Sequence, residues 1–413
     1  MSWADKLRSF GPGLLYAGAA VGVSHLVQST RAGAEFGLQL IGVVLLVNVL
    51  KYPVFESGPR YASATGKTLL DGYKRVGEWA VWVYILMSML TMFIIMAAIA
   101  IVTAGLFGQL TSIAFNAPFL AVGLLVLSLV ILGFGHYSAL DRIMKFIIIL
   151  LTLSTLLALT FSFIEPTIRL AEYETIFDWE NRAHVLFLVA LIGWMPAPID
   201  ISIWHSVWSV SKNREQGRRL SKRQVLTDFH VGYWGTTLLA TCFLGLGAVI
   251  MYGTGEKPDA SSIGFADQLI RLYTENLGAW TFPFIALAAF TTMFSTLLTC
   301  LDAFPRTLRK STKLVLPRFD QRKHHNSLYW FWIILTVLGT SILLLFYLRD
   351  MRAMVDLATT VSFVLAPVLA ILNYLAMNDS AIADEFRQPR ALRWFNLLSI
   401  ALLTGFSIWF LLY

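Results

Sequence analysis

Charge is what this chain has least of: Asp, Glu, Lys and Arg make up 14% of its 413 residues, against about 25% in soluble domains. Apolar residues fill 57% of it and the mean hydropathy is +0.67. That balance excludes an ordinary soluble enzyme or a disordered chain and implies an integral membrane protein. Cysteine is nearly absent, and Cys242 and Cys300 both fall inside apolar runs, so there is neither a disulfide framework nor a thiolate metal motif. No linker rich in Pro, Gly or Ser and no low-complexity tract divides the chain, so residues 1–413 read as one membrane domain. Paired carboxylates, a His-Glu-x-x-His run and a Ser/His nucleophile arrangement are also missing, which argues against an enzyme and calls for no cofactor.

Acidic residues are fewer than basic ones, 25 against 32, and the basic ones gather in alternate loops. One side holds Lys6 and Arg8, then Arg60, Lys67, Lys74 and Arg75, Arg142 and Lys145, a run from Lys212 to Arg223, another from Arg306 to Lys323, and Arg387, Arg390 and Arg393. The other side holds Arg169, Arg182, Lys257, Arg271, Arg349 and Arg352. By the positive-inside rule the N-terminus is expected in the cytoplasm and the C-terminus outside, in a multi-pass protein of the cell membrane. The basicity is therefore topological and does not indicate a nucleic-acid partner. The segment Met1–Arg8 is too short for a signal peptide.

Apolar runs long enough to cross a bilayer, about 17 to 25 residues, fall at Pro12–Thr30, Leu38–Phe55, Trp79–Phe107, Pro118–Phe134, Met144–Ile164, His184–Ser209, Phe229–Tyr252, Ala279–Phe304, Tyr329–Tyr347, Val355–Met377 and Leu392–Tyr413. The fold class is thus all-α, with about eleven spans. Spans one to five and six to ten can be superposed as inverted repeats, over about 11–164 and 184–377, with an added helix at about 391–413. The acid-rich loop Glu165–Ala183 is expected to form short helices on the membrane face.

Two runs are interrupted. Gly18-Ala-Ala-Val-Gly-Val-Ser-His25 and Ile192-Gly-Trp-Met-Pro-Ala-Pro-Ile-Asp200 carry helix breakers and polar groups near the starts of the two repeats, where secondary transporters place their substrate. The stretch from Gly11 through Ala32-Gly-Ala-Glu-Phe-Gly37, together with Met195-Pro196 in the sixth span, resembles the first helix and the Met-Pro-His motif of the Nramp family of divalent-metal transporters. The resemblance covers nearly the whole chain and implies a LeuT fold with substrate held between unwound first and sixth helices.

Within that resemblance the family's metal-binding Asp-Pro-Gly-Asn falls on Gly22, Val23, Ser24 and His25, its histidine after Met-Pro on Ala197, and its tenth-span glutamine approximately on Thr359. The family's acidic third-span residues have no counterpart between Trp79 and Leu110, so its usual proton pathway is not expected.

The residues themselves suggest several roles. An imidazole at His25 suits a transition metal, and it equally suits a hydrogen-bonded core residue or a proton switch. The thioether of Met195 is a soft ligand or plain filler. Pro196 and Pro198 supply no N–H, which frees the carbonyls of Ile192 and Gly193 for a cation. Asp200 either steadies the restarted helix or supplies the missing negative charge, so His25, Met195 and Asp200 form the candidate metal set.

Ser24, Gln28, Arg31 and Glu35 recur at helical spacing and form a polar stripe. An arginine at membrane depth must be paired; Glu35 at i+4 is the nearest candidate and Asp200 the next, for a gating or structural pair. Ser202, His205, Ser206 and Ser209 share a face of the sixth span, and Asp356, Thr359, Thr360 and Ser362 cluster in the tenth.

The expected function is a secondary-active transporter working by alternating access within the lipid bilayer, with a divalent metal ion as cargo. A small organic or anionic solute on the same fold, or a membrane sensor without transport, are the alternatives.

Overall fold

In the computed structural model, residues 11–112, 116–134, 137–164, 170–217, 220–319, 325–347, 350–380 and 382–413 are described, with backbone alone for 137–148 and 325. Of the basic residues used above to orient the chain, Lys6, Arg8, Arg169, Arg218, Arg219, Arg322, Lys323 and Arg349 lie outside the described residues, as do the side chains of Arg142 and Lys145.

The described residues form fifteen α-helices and no strand: α1 Pro12–Ala20, α2 Thr30–Phe36, α3 Ile41–Thr65, α4 Leu69–Val76, α5 Glu78–Thr111, α6 Ala117–Phe134, α7 Tyr137–Ser162, α8 Arg182–Gly193, α9 Asp200–Glu215, α10 Lys222–Ile250, α11 Ser262–Leu277, α12 Phe282–Val315, α13 His325–Ile342, α14 Met351–Met377 and α15 Arg390–Leu412. Eight stretches among them are long and apolar enough to cross a bilayer. The first expected span is divided between α1 and α2, and the sixth between α8 and α9. The fifth expected span falls on α7, a helix of 26 residues.

Helices run past the apolar cores that announce them. The α3 helix continues ten residues beyond Phe55, so Arg60, read above as a loop residue, is a buried helical residue whose guanidinium pairs with Glu56. In the same way α12 reaches Val315 and carries Arg306, Arg309, Lys310 and Lys313 on helix rather than loop. A 34-residue helix is about 51 Å long, so these charges stand clear of the hydrocarbon. In the described part of the acid-rich loop, the helical structure is one 3-10 turn, Ala171–Tyr173.

Hydropathy alone does not rank the helices by depth. The helices α5 and α12 pack along one another at the centre, and their inward faces are Met, Ala, Ile and Thr. By contrast α6 buries only Ala121, Leu124, Leu125 and Ser128, and α15 only Asn396, Ser399, Leu403 and Ser407. Their exposed faces carry Phe119, Leu127, Trp394 and Leu402, an apolar rim suited to lipid.

One helix, α10, holds both halves of the broken first span. At one end the Asp228 carboxylate accepts from the N–H groups of Gly11 (3.2 Å) and Gly13 (2.6 Å), capping the start of α1. A Cβ on Gly13 would sit 2.0 Å from the Asp228 carbonyl oxygen, and one on Gly33 would sit 1.9 Å from that of Leu244. Backbones approach this closely only where small residues permit it, as in membrane helix pairs generally.

Candidate functional site

The helix stops at Val21 and Gly22 and resumes as a π-helical stretch, Ser24–Ser29, before α2. Carbonyls lost to the ladder find hydroxyls instead. The Thr296 Oγ1 group of α12 lies 2.9 Å from Gly18 O and 3.4 Å from Val21 O, and Ser24 Oγ lies 2.9 Å from Ala20 O. The His25 ring is fully buried and engaged at both nitrogens, Nε2 at 2.9 Å from Thr236 O and Nδ1 at 2.8 Å from Ser24 Oγ. A carbonyl only accepts, so the bond to Thr236 puts the proton on Nε2, and the one Ser24 hydroxyl proton is shared between Nδ1 and Ala20 O.

The sixth span stops after Gly193 and restarts at Asp200, with Met195-Pro196 in the cis form. Its freed carbonyls face another helix: Lys51 Nζ, from the middle of α3, donates to Ile192 O (2.6 Å) and Gly193 O (3.0 Å). Trp194 Nε1 donates to Ser362 Oγ at 2.7 Å. The Met195 side chain is completely buried in an apolar cluster with Val44, Val47, Phe187 and Leu244. Asp200 is buried at the first turn of α9, where the helix dipole favours a carboxylate. Farther along α9, Ser202 accepts from Asn373 Nδ2 (2.8 Å) and Ser206 accepts from the Leu69 N–H (3.0 Å). The His205 ring packs between Tyr16 and Phe229, and among the described residues neither nitrogen has a hydrogen-bond partner.

The two breaks meet. Ser24 Oγ is 3.5 Å from Pro196 O, beside a cavity of about 20 Å³ walled by Ala20, Val23 and Ser24 of the first span, Trp194, Pro198, Ile201 and Trp204 of the sixth, Ile95 and Ile99 of α5, and Thr296 and Cys300 of α12. The structure therefore brings Val23 and Ser24 to this wall. His25, Met195 and Asp200 are not part of it, and among the described residues no three His, Cys, Asp or Glu side chains converge on a point where they could hold a metal.

The polar stripe of the first span leads elsewhere. Arg31 pairs with Asp356 of α14, Nη1 to Oδ1 at 2.7 Å and Nη2 to Oδ2 at 3.2 Å, while Glu35 stands 3.7 Å from Nε. The expected i+4 neighbour Glu35 keeps its pairing, Asp200 does not join, and the closer partner is a residue 325 positions away, because a bidentate carboxylate on a facing helix matches the guanidinium fork better than an i+4 neighbour. Gln28 joins the pair, donating to Asp356 Oδ1 (3.2 Å) and Thr359 Oγ1 (3.3 Å) and accepting from Arg31 Nη1 (2.9 Å). The guanidinium also stacks 4.9 Å over the Phe187 ring. Thr359 thus belongs to this network.

Wide openings flank the closed centre. One, of about 480 Å³, is lined by Glu35, Glu172, Glu174 and Glu256 with Lys257 and Arg352. The other, of about 580 Å³, is lined by Lys67, Arg214, Arg306, Arg309, Lys310 and Lys313, with Asp71 bonded to Lys310. Lys51, Asp228, Asp356 as the partner of Arg31, and the Glu56–Arg60 pair were not read from the sequence. A single lysine inside the apolar run Leu38–Phe55 was the available signal, since an ionisable residue at membrane depth is a candidate site by default.

A family model described as Natural resistance-associated macrophage protein-like matches residues 13–413. An uncharacterized protein of Pasteurella multocida is 34% identical over 413 residues, 99% of this chain and 93% of its own. Crystal structures of the Eremococcus coleocola manganese transporter share the fold at TM-scores of 0.62 and 0.65, with 14% identity over 98% of this chain and 86% of theirs. MhsT in complex with L-phenylalanine shares it at 0.62, with 13% identity over 99% of this chain and 98% of that one. The fold is therefore that of the LeuT-type transporters, and the chain belongs to the Nramp family of multi-pass membrane proteins.

Proposed function

We propose that the chain is a secondary transporter that moves a divalent metal ion by alternating access, with the cargo passing between the broken first and sixth spans. The observation that carries this reading is the meeting of the two breaks at a buried cavity of about 20 Å³. That is room for one water or a bare ion and too little for an organic solute. Ser24 and the backbone at the breaks supply neutral oxygen donors there, and Asp200 is the nearest restart-helix carboxylate. The Arg31–Asp356–Gln28 network closes the side lined by glutamates. Those glutamates favour cations at the entrance.

On this reading the basic opening faces the cytoplasm, which puts the N-terminus inside, the C-terminus outside, and the protein in the cell membrane. The repeats over about 11–164 and 184–377 supply the two moving halves. Uptake of manganese, magnesium and cobalt into proteoliposomes tests the cargo. Saturable flux of at least one ion is expected, and no flux of any from well-folded protein overturns the reading.

A second reading, transport of a small organic or anionic solute, draws on two buried cations, Lys51 and Arg31, and on the absence of a three-ligand cluster among the described residues. It requires that Arg31→Ala weaken binding of a carboxylate ligand. Unchanged binding removes its support.

A further inference from the structure

Lys51 is completely buried in the middle of α3. Two other buried charges on that helix, Glu56 and Arg60, satisfy each other, and Gln388 donates to Glu56 at 3.0 Å. Among the described residues no carboxylate pairs with Lys51, and its hydrogen-bond partners are the Ile192 and Gly193 carbonyls, at 2.6 and 3.0 Å. A buried ammonium without a counter-ion is costly unless several oxygens replace its water. Here those oxygens belong to the last turn of α8, the negative end of a helix dipole.

Of these two carbonyls, that of Gly193 depends most on the lysine. After Gly193 the helix halts, Pro196 and Pro198 supply no N–H, and α9 restarts only at Asp200. The Trp194 and Met195 N–H groups both turn back on Ile192 O, the latter at 3.3 Å, whereas among the described residues no backbone N–H serves Gly193 O. The opposite side of this turn is sealed, since a Cβ on Gly193 would sit 2.0 Å from the Thr359 carbonyl oxygen on α14. The side-chain group that serves these oxygens arrives from α3, about 140 residues earlier in the chain.

We infer that the carbonyls of Ile192 and Gly193 form a cation site whose resident ion is the chain's own Lys51 ammonium, and that vacating it opens a site for a small monovalent cation. The tethered charge stands in for a dissociable ion at the sixth-span break. The broken helix then keeps its shape without drawing on ions in solution. This inference goes beyond the cargo reading and does not depend on which solute the protein carries.

The test is chemical rescue of the purified full chain in detergent, reading the melting temperature at fixed pH and ionic strength. The chlorides compared are those of ammonium, methylammonium, potassium, sodium and the bulky N-methylglucamine. The wild type is expected to melt at the same temperature in all of them. Lys51→Ala, which leaves space, is expected to melt several degrees lower in N-methylglucamine and to recover saturably in at least one small cation. Lys51→Met, which fills the space without charge, is expected to melt lower in every salt with no recovery. If the Ala variant survives extraction only in certain salts, survival in a small cation and loss in N-methylglucamine supports the inference. An Ala variant that behaves alike in all salts, whether folded in all or lost in all, overturns it, as does a Met variant as stable as the wild type. Metal flux in proteoliposomes is measured separately on the wild type, so a failed cargo reading is not mistaken for a failed cation site.

Discussion

The two interrupted spans are broken by opposite means. The first gives way at a glycine, and neutral groups take up the loose carbonyls: Thr296 serves Gly18 and Val21, and Ser24 serves Ala20. The sixth is broken by two prolines, and its loose carbonyls are taken by an ammonium from another helix. A neutral hydroxyl bond contributes about 0.5–1.5 kcal/mol net, and it exchanges readily for another hydroxyl or a water. A buried ammonium has no such substitute. The comparison teaches that the first break is held by neutral bonds and the sixth by a charge; on the alternating-access reading proposed above, the first is the one expected to rearrange.

The halves of the first span are nonetheless anchored at both ends, by Asp228 at the start of α1 and by Arg31–Asp356 at the glutamate-lined side of α2. On that side the first span is tied to the tenth by one bidentate ion pair and its glutamine. The basic side has no equivalent pair between the first and tenth spans recorded among the described residues.

The contrast can be broken hardest at Asp356. Removing its carboxylate leaves the buried Arg31 with Gln28 Oε1 and, at 3.7 Å, Glu35, and loss of one partner of a buried pair costs up to about 3–5 kcal/mol. Asp356→Ala should lower the melting temperature sharply and expose a cysteine placed at Ser24 to a membrane-impermeant thiol reagent. A double-mutant cycle with Arg31→Ala should show strong coupling, and additive effects would deny the gate. Next comes Gly193→Ala, which drives a Cβ into the Thr359 carbonyl. Overpacking of this kind costs about 1–3 kcal/mol, and if the sixth break is the rigid one, transport should fall together with stability in that variant.

Asp228→Asn removes the charge from the bonds to Gly11 and Gly13. The expected loss is about 1–2 kcal/mol, read as a lower melting temperature with the acidic side still closed to the thiol reagent. Thr296→Val should cost about 1 kcal/mol and change the rate of transport more than stability, because it loosens only the first break. The smallest effect is expected at Met195→Leu, a near volume-conserving change inside an apolar cluster, worth less than about 1.5 kcal/mol. Unaltered metal uptake in that variant marks Met195 as packing, whereas a large loss of uptake at normal stability marks it as a ligand.

Both breaks were legible to within a residue or two, because glycine and proline act on the backbone where they stand. The family was legible from the same two stretches. Of the two partners of Arg31, Glu35 was legible from helical spacing and Asp356 was not, since nothing local points to it. Nor was the fate of the Ile192 and Gly193 carbonyls: two prolines announce free acceptors, but which donor reaches them depends on how α3 leans on α8. Lys51 was passed over as one polar residue in an otherwise good span. Arg60 was read as loop because hydropathy marks the hydrocarbon, while the helical ladder of α3 continues into the interface.

By itself the sequence determined the membrane class, the helical architecture and the positions where two helices must stop, all of which follow from transfer energies and backbone chemistry acting over a few residues. Only the tertiary structure decided which helices lie at the centre, which carboxylate meets Arg31, and what cation meets the end of α8. Those choices rest on contacts between segments 140 to 330 residues apart, and they depend on helix placement rather than on any local pattern.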